Sequence, residues 1–271
     1  MFAFPTGSFP TPGILARTGG SAARVTPILS GLLLACLTAL PARAEDPAPG
    51  AVTTPKAVIE LFTSQGCSSC PPADKLLGEI AAKPDMLALT LAVDYWDYLG
   101  WKDTLAKHGH SVRQKAYARV RGDGKMFTPQ MVVNGTAMTI GNDKDAVKRT
   151  VDAAARPSVP VTVETRNGRM YINVGAGNVA AGSPSAEIWL CPVASRMTVD
   201  IGRGENEGAE IVYHNVVRGW EKIGDWNGRA ATFETALRPR TGGVDSVVVL
   251  VQTGSAAAPG AIVGAALQPL P

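Results

Sequence analysis

Two cysteines three positions apart, Cys67 and Cys70, lie where an apolar segment gives way to a helical pattern. Residues 57–63 predict a buried strand, and a helix is predicted from about Pro71. The free N–H groups and the dipole at a helix N-terminus stabilise a thiolate, which is the nucleophilic form of cysteine. We therefore expect an exposed, acidic Cys67 and a buried Cys70 that resolves a mixed disulfide.

The chain between the cysteines and residue 155 alternates between helical and strand patterns. The pair Asn134-Gly135 is a strong signal for a two-residue hairpin, and the segment 141–143 offers an N-cap for a closing helix. The further predicted elements are a helix ending near 82, a buried parallel strand at 86–93, a helix at 101–120 with Leu105, Val112, Ala116 and Val120 on one face, strands at 130–133 and 136–140, and a helix ending near 155.

This order, β-α-β-α-β-β-α, is that of the thioredoxin fold, which we expect over residues 56–156. Thr128-Pro129 stands immediately before the third strand, where thioredoxin-like proteins carry a cis-proline that faces the C-x-x-C pair. A proline that begins a strand is also permitted in the trans form, so the isomer stays open. Thr128 would offer its backbone to a client chain. Glu60 lies near the position of a buried, proton-relaying acid in thioredoxins, although an ordinary strand glutamate fits as well.

Several longer segments resemble one family more closely. They are IELFTSQGCSSCPPAD at 59–74, VDYWDYLGWKD at 93–103, YAR at 117–119, TPQMVVNG at 128–135, RGEN at 203–206 and HNVVR at 214–218. The chain resembles the domain of unknown function 1223 family, which comprises secreted, thioredoxin-like bacterial proteins, typically from Gram-negative species. The resemblance implies fold and export, and it implies no substrate.

The second half, residues 157–271, changes to short β runs separated by Gly/Pro turns, with another hairpin signal at Asn167-Gly168. The predicted strands lie at 159–165, 170–174, 186–193, 210–217, 230–237, 246–252 and 261–267. Such spacing predicts a mostly antiparallel, β-sandwich-like domain. The segment 203–218 is the best candidate for a functional surface in this half, although a charged hairpin loop is the slightly favoured interpretation.

The first 44 residues have the layout of a secretory signal peptide. Arginines precede an apolar run at 28–40, and residues 42–44 form a small-x-small cleavage site, followed by a linker at 45–55. Lipidation at Cys36 is a less favoured alternative. We expect a periplasmic or secreted protein without a membrane span after cleavage. The formal charge of +3 comes from three leader arginines, so the remaining chain is neutral and shows no nucleic-acid-binding character.

We therefore predict an exported thiol–disulfide oxidoreductase with Cys67, Cys70, Thr128, Pro129 and Glu60 as site residues. It would exchange disulfides with protein or small-molecule thiol clients and would need a redox partner, but no metal and no organic cofactor. The sequence leaves the direction of electron flow open.

Two other functions stay open at this level. One is a non-catalytic binding module with a fixed structural disulfide. The other is a copper-binding or delivery protein that combines the cysteine pair with His108 or His110, since soft ligands suit Cu(I). Copper proteins of thioredoxin fold typically separate their cysteines by three residues, whereas two separate them here. Aromatic and acidic residues at 94–101 could line a substrate groove, although packing is the favoured role, and Cys191 is expected to be buried.

Overall fold

The computed structural model describes residues 52–178, 185–237 and 240–271. The predicted signal peptide and residues 45–51 of the predicted linker lie outside the described residues. None of the helices in the described part of the chain is long and apolar enough to cross a membrane.

The first half, as described from residue 52, contributes five strands to a sheet and three α-helices. Its elements are β1 (Val52–Thr53), β2 (Ala57–Thr63), α1 (Pro71–Ala81), β3 (Met86–Ala92), a 3-10 helix (Asp97–Leu99), α2 (His108–Arg121), β4 (Gln130–Val133), β5 (Ala137–Ile140) and α3 (Lys144–Ala153). β2 pairs in parallel with β3 and antiparallel with β4, and β5 pairs with β4. Every residue of β3 is buried, which confirms the predicted buried parallel strand.

The second half extends the same sheet and adds a smaller one. Its strands are β6 (Val161–Arg166), β7 (Arg169–Val174), β8 (Ala186–Asp200), β9 (Glu210–Val217), β10 (Glu221–Trp226), β11 (Ala231–Ala236), β12 (Ser246–Ser255) and β13 (Ala258–Pro269). The large sheet has the order β1-β13-β12-β8-β9-β3-β2-β4-β5, with β10 paired to β8, and the small sheet has the order β11-β7-β6. The two halves join where Thr90 of β3 pairs with Val216 of β9.

This join places both halves in one compact unit. The Thr90 hydroxyl also donates to the carbonyl oxygen of His214 at 2.7 Å, next to the pairing of β3 with β9. The boundary predicted at residues 156–157 therefore does not correspond to a break in the sheet. A two-residue strand, β1, was also not predicted, because residues 52–53 read as linker.

Successive side chains of β2 lie on opposite faces of the sheet. Ile59 and Leu61 pack against α1 and α3, in a cluster that includes Leu77 and Val147. On the other face Phe62 meets Tyr117 of α2 edge to face, with 6.3 Å between the ring centroids. The cluster around Phe62 also takes in apolar side chains of β8, β12 and β13. One face of helix α2 therefore packs against strands from both halves of the chain.

The small sheet packs against β8 and β12 of the large sheet. Val163 of β6 and Ile172 of β7 share a buried cluster with Ile188 of β8 and Val249 of β12. The strands of the second half thus pack as two layers, with apolar side chains between them.

Turns and a cap form at the predicted positions. Asn134 and Gly135 have positive φ values of 49° and 75°, but Val133 pairs with Ala137, so this turn has three residues and not the expected two. The Asn134 side chain accepts from the backbone N–H of Val58 at 2.7 Å. Asn167-Gly168 forms a two-residue turn between β6 and β7, with positive φ at both residues and Arg166 paired to Arg169. Asp143 caps α3 by accepting from the backbone N–H of Ala146 at 2.9 Å.

The prediction for the second helix is wrong in its start and in part of its buried face. α2 begins at His108. Of the four residues predicted on the buried face, Leu105 and Ala116 are buried, whereas Val112 and Val120 are 49% and 54% exposed. The buried face also carries polar side chains, among them Arg113 and Gln114. These side chains bond to buried partners on neighbouring strands, so an apolar pattern could not reveal them.

Candidate functional site

The two cysteines form a disulfide between the end of β2 and the start of α1, with 5.4 Å between their Cα atoms. Cys70 is the N-cap of α1, and its carbonyl oxygen accepts from the backbone N–H of Ala73 and of Asp74. Both cysteines are buried: Cys67 is 2% exposed, so the prediction of an exposed Cys67 is wrong. The exposed residues of the motif are Ser68 and Ser69.

Two distant segments hold the loop before Cys67 in place, which explains this burial. The first is the loop after β3. Asp103 accepts from the backbone N–H of Gln65 at 2.8 Å, and the indole N–H of Trp101 donates to the Gln65 side-chain oxygen at 2.8 Å. Burial raises the pKa of Asp103, and the N–H groups of Gln65, Leu105 and Ala106 oppose that rise.

The second segment is the turn between β8 and β9, residues 201–209, which we call the hairpin tip. Its Asn206 donates from Nδ2 to the carbonyl oxygens of Gln65 and Cys67, both at 2.9 Å. Its Glu205 accepts from the backbone N–H of Ser68 at 3.2 Å. Part of the functional surface predicted at 203–218 therefore lies directly on the cysteine loop.

Thr128 and Pro129 lie at the same edge of the sheet as the cysteines. Gln130, the next residue, pairs with Phe62 near the end of β2, and the Thr128–Pro129 peptide bond is cis. Trp96 links this segment to the cysteine loop. Its indole N–H donates to the Thr128 hydroxyl at 2.8 Å, and its Cβ would lie 3.2 Å from a Cβ placed on Gly66. Trp96 and Trp101 of the aromatic segment thus bond within the site, whereas Tyr98 is exposed.

Glu60 does not lie with the cysteines. Its side chain is on the α2 face of the sheet, and α1 covers the opposite face. Arg113 donates to both carboxylate oxygens, at 2.6 and 3.2 Å, and the Tyr117 hydroxyl donates at 2.6 Å. Gln252 of β12 bonds to both Arg113 and Tyr117. Glu60 is thus held in a buried network joining the two halves, and this placement does not support a proton relay to Cys70.

Asp74 is a second buried acid near the cysteines, in addition to Asp103. It lies four residues after Cys70, so the two side chains share one face of the helix N-terminus. Asp74 is 2% exposed, and neither of its carboxyl oxygens has a hydrogen-bond partner among the described residues. Burial raises its pKa well above the usual range; the nearby Thr63 hydroxyl lowers it less, and the charge of Asp103 adds to the rise. The spacing of four from Cys70 was the sequence signal for this residue.

The buried side chain of Tyr213 lies near Asp74. Tyr213 of β9 is buried, its hydroxyl has no partner among the described residues, and burial raises its pKa, with Asp74 and Asp103 adding to the rise. A carboxyl group in such surroundings is stabilised in its protonated form, because the charged form lacks both water and a cation.

The histidines considered for copper do not join the cysteines in a metal site. His108 is exposed and lies 2.9 Å from a carboxylate oxygen of Asp94. His110 is buried against the carbonyl oxygen of Ala92, and burial lowers its pKa to about 4. The described residues contain no group of three or more His, Cys, Asp or Glu side chains that could hold a metal ion. Cys191 is a free, buried thiol, as expected, and burial raises its pKa.

The chain belongs to the family described as protein of unknown function DUF1223, whose model matches residues 58–252. This confirms the family resemblance found in the sequence. A crystal structure of a protein from Agrobacterium tumefaciens is 32% identical and has a TM-score of 0.69, with the match covering 80% of this chain and 95% of that one. HBP35 of Porphyromonas gingivalis is 14% identical with a TM-score of 0.54, covering 81% and 76%, a similarity of fold alone. A search of curated proteins finds no match.

Proposed function

We propose that the protein is a thioredoxin-like thiol–disulfide oxidoreductase that acts outside the cytoplasm. The observation that carries the proposal is the Cys67–Cys70 disulfide at the N-terminus of α1, in the loop that follows strand β2. Disulfide-forming pairs in this position exchange with other thiols, because the helix N-terminus stabilises the thiolate that leaves. The proposed export rests on the sequence of residues 1–44.

The arrangement of the first half supports the thioredoxin-like part of the proposal. β2 lies between the parallel strand β3 and the antiparallel strand β4, and helices cover both faces. Thr128–Pro129 directly precedes β4, whose first residue, Gln130, pairs with Phe62 near the end of β2. This segment therefore lies at the same end of the strands as the cysteine loop. In the proposed function this segment forms one wall of the site that receives a client thiol or disulfide.

The chemistry is a pair of thiol–disulfide exchanges that balance. A client thiolate attacks the sulfur of Cys67, the Cys67–Cys70 bond breaks, and Cys70 leaves as a thiolate that takes up a proton. A second client thiolate then attacks the mixed disulfide, which releases Cys67 and leaves the client oxidised. The reverse sequence reduces a client disulfide, with Cys70 as the resolving thiol. A redox partner must restore the starting state, and no metal or organic cofactor is required.

In this mechanism Asp74 replaces Glu60 as the proton-transferring group. Its buried carboxyl group lies on the same helix face as Cys70 and has no competing partner among the described residues. Because burial keeps its pKa high, Asp74 holds a proton that it can give to the Cys70 thiolate and can later take back.

One observation favours a second candidate, a non-catalytic binding module. Cys67 is 2% exposed, and a fixed structural disulfide needs no solvent access. In that case the cysteine pair would only hold the loop between β2 and α1.

A trapping experiment distinguishes the two candidates. Reduced Cys70→Ser protein is treated with oxidised glutathione, and the modified cysteine is identified by peptide mass spectrometry. Exchange at Cys67 predicts a stable glutathione adduct there, whereas reduced wild type resolves the adduct and Cys191→Ser behaves as wild type. Failure of Cys67 to form an adduct in Cys70→Ser protein that remains folded would favour the binding module.

A further inference from the structure

We infer that the hairpin tip determines which thiols reach Cys67, admitting small thiols and excluding protein dithiols. The inference rests on the proposed function and names its client class. It concerns residues 201–209, which no part of the exchange chemistry requires.

The tip holds the backbone on both sides of Cys67. Asn206 donates its two amide hydrogens to the carbonyl oxygens of Gln65 and Cys67, and Glu205 accepts from the N–H of Ser68. An amide is the group suited to this position, because a carboxylate would face two carbonyl oxygens with no hydrogen to donate. The tip is therefore bonded to the reactive loop by side chains that are separated from it by more than 130 residues.

The tip is also seated on Trp101. A Cβ on Gly202 would lie 3.0 Å from the indole ring, and one on Gly204, whose φ is +87°, would lie 3.6 Å from the Trp101 Cβ. The same indole donates to Gln65. The tip, Trp101 and the cysteine loop thus form one packed assembly, and moving the tip away breaks both hydrogen bonds of Asn206.

Attack on a disulfide requires that the incoming sulfur reach Cys67, which is 2% exposed. The Cys67 sulfur lies 3.5 Å from the hydroxyl oxygen of Ser69, and the Ser68 and Ser69 side chains are exposed. In the inferred arrangement, a small thiol approaches past these exposed serine side chains without movement of the tip. A dithiol set in a folded protein needs the surface beside the loop, which the tip occupies, so its attack requires the tip to move.

The test compares the rates at which two reductants reduce the Cys67–Cys70 disulfide, dithiothreitol and a reduced thioredoxin. The variants are Asn206→Ala and Asn206→Asp, with Glu207→Gln as the matched control, because the Glu207 side chain is exposed in the same tip. We expect Asn206→Ala to raise the thioredoxin rate at least about tenfold, since two hydrogen bonds are lost, and the dithiothreitol rate less than about threefold. Asn206→Asp should act in the same direction, and Glu207→Gln should leave both rates unchanged.

The outcomes separate the two proposals. Equal acceleration of both reductants, or no acceleration in either folded Asn206 variant, would overturn the role of the tip while leaving the exchange reaction intact. If neither reductant reduces the folded wild type, although both reduce the unfolded chain, the oxidoreductase proposal itself fails. Thermal unfolding of each variant shows whether it is folded. If Asn206→Ala is not folded, the test uses Asn206→Asp.

Discussion

The backbone N–H of Asp74 donates to the carbonyl oxygen of Cys70 at 3.0 Å, which stacks the two buried side chains on one face of the first turn of α1. A carboxyl group that is buried without a partner destabilises the folded protein whenever it must ionise. Such groups cluster at functional sites, where the pKa they acquire serves proton transfer.

Replacement of Asp74 by Asn should stabilise the protein at neutral pH. Because burial raises the pKa of Asp74, the folded protein keeps a proton that the unfolded chain releases above its ordinary pKa near 3.8. The contribution of protonated Asp74 to the free energy of unfolding is therefore fully present below that pH. It is lost as the pH rises toward the pKa of Asp74 in the folded protein, by up to about 1.4 kcal/mol per pH unit. In urea unfolding, the free energy of unfolding of Asp74→Asn should increase relative to that of wild type from pH 4 to pH 7. A difference that is constant with pH would contradict the buried acid.

The same substitution should slow disulfide reduction. Without a carboxyl proton beside it, the Cys70 thiolate must be protonated by other means, so the dithiothreitol rate at pH 6–7 should fall at least about tenfold. The difference should narrow at pH values above the Asp74 pKa, where the wild-type carboxyl has also lost its proton. Asp145→Asn, an exposed acid in the first turn of α3, is the control. Unchanged rates across the pH range would remove Asp74 from the reaction.

Arg113→Met should be strongly destabilising. It leaves the Glu60 carboxylate buried with only the Tyr117 hydroxyl as a donor, and breaking a buried pair typically costs about 3–5 kcal/mol. Lys144→Met, which removes an exposed ion pair with Glu79, should change the free energy of unfolding little. Denaturant unfolding checks both. A small effect of Arg113→Met would show that the network does not stabilise the join between the halves.

Gly135→Ala should destabilise the protein more than Gly168→Ala, although both glycines have positive φ and follow an Asn in a hairpin turn. A Cβ at Gly168 meets nothing within 4 Å, so only the left-handed backbone, about 1–2 kcal/mol, opposes it. A Cβ at Gly135 would lie 2.4 Å from the carbonyl oxygen of Gly260 in strand β13, adding at least about 1 kcal/mol. Equal losses in denaturant unfolding would mean that the turn at Gly135 and strand β13 are not in firm contact.

Features encoded by neighbouring residues could be predicted from the sequence. The strand β2, the hairpin at Asn134-Gly135 and the cap at Asp143 each depend on residues within a few positions, and each is confirmed. The buried face of α2 could not be predicted, because Arg113 is satisfied by Glu60, which lies 53 residues away. A buried polar face has no apolar periodicity to reveal it.

The candidate site divides in the same way. Cys67, Cys70, Thr128 and Pro129 could be selected from motifs, and the structure brings their segments to one edge of the sheet. The contact of Asn206 with Cys67 joins residues 139 positions apart through strands β8 and β9, so no local pattern encodes it. The face on which the Glu60 side chain lies depends on the register of its strand, because a shift of one residue moves every side chain to the other face.

The central claim is that Cys67 and Cys70 exchange with other thiols, and their reduction potential tests it most directly. The protein is equilibrated in glutathione buffers, and the peptides that contain the two cysteines are analysed by differential alkylation and mass spectrometry. We predict a potential between about −120 and −270 mV, the range of exchanging catalysts. A potential below about −300 mV, resistant to glutathione, would identify a structural disulfide and contradict the proposed function.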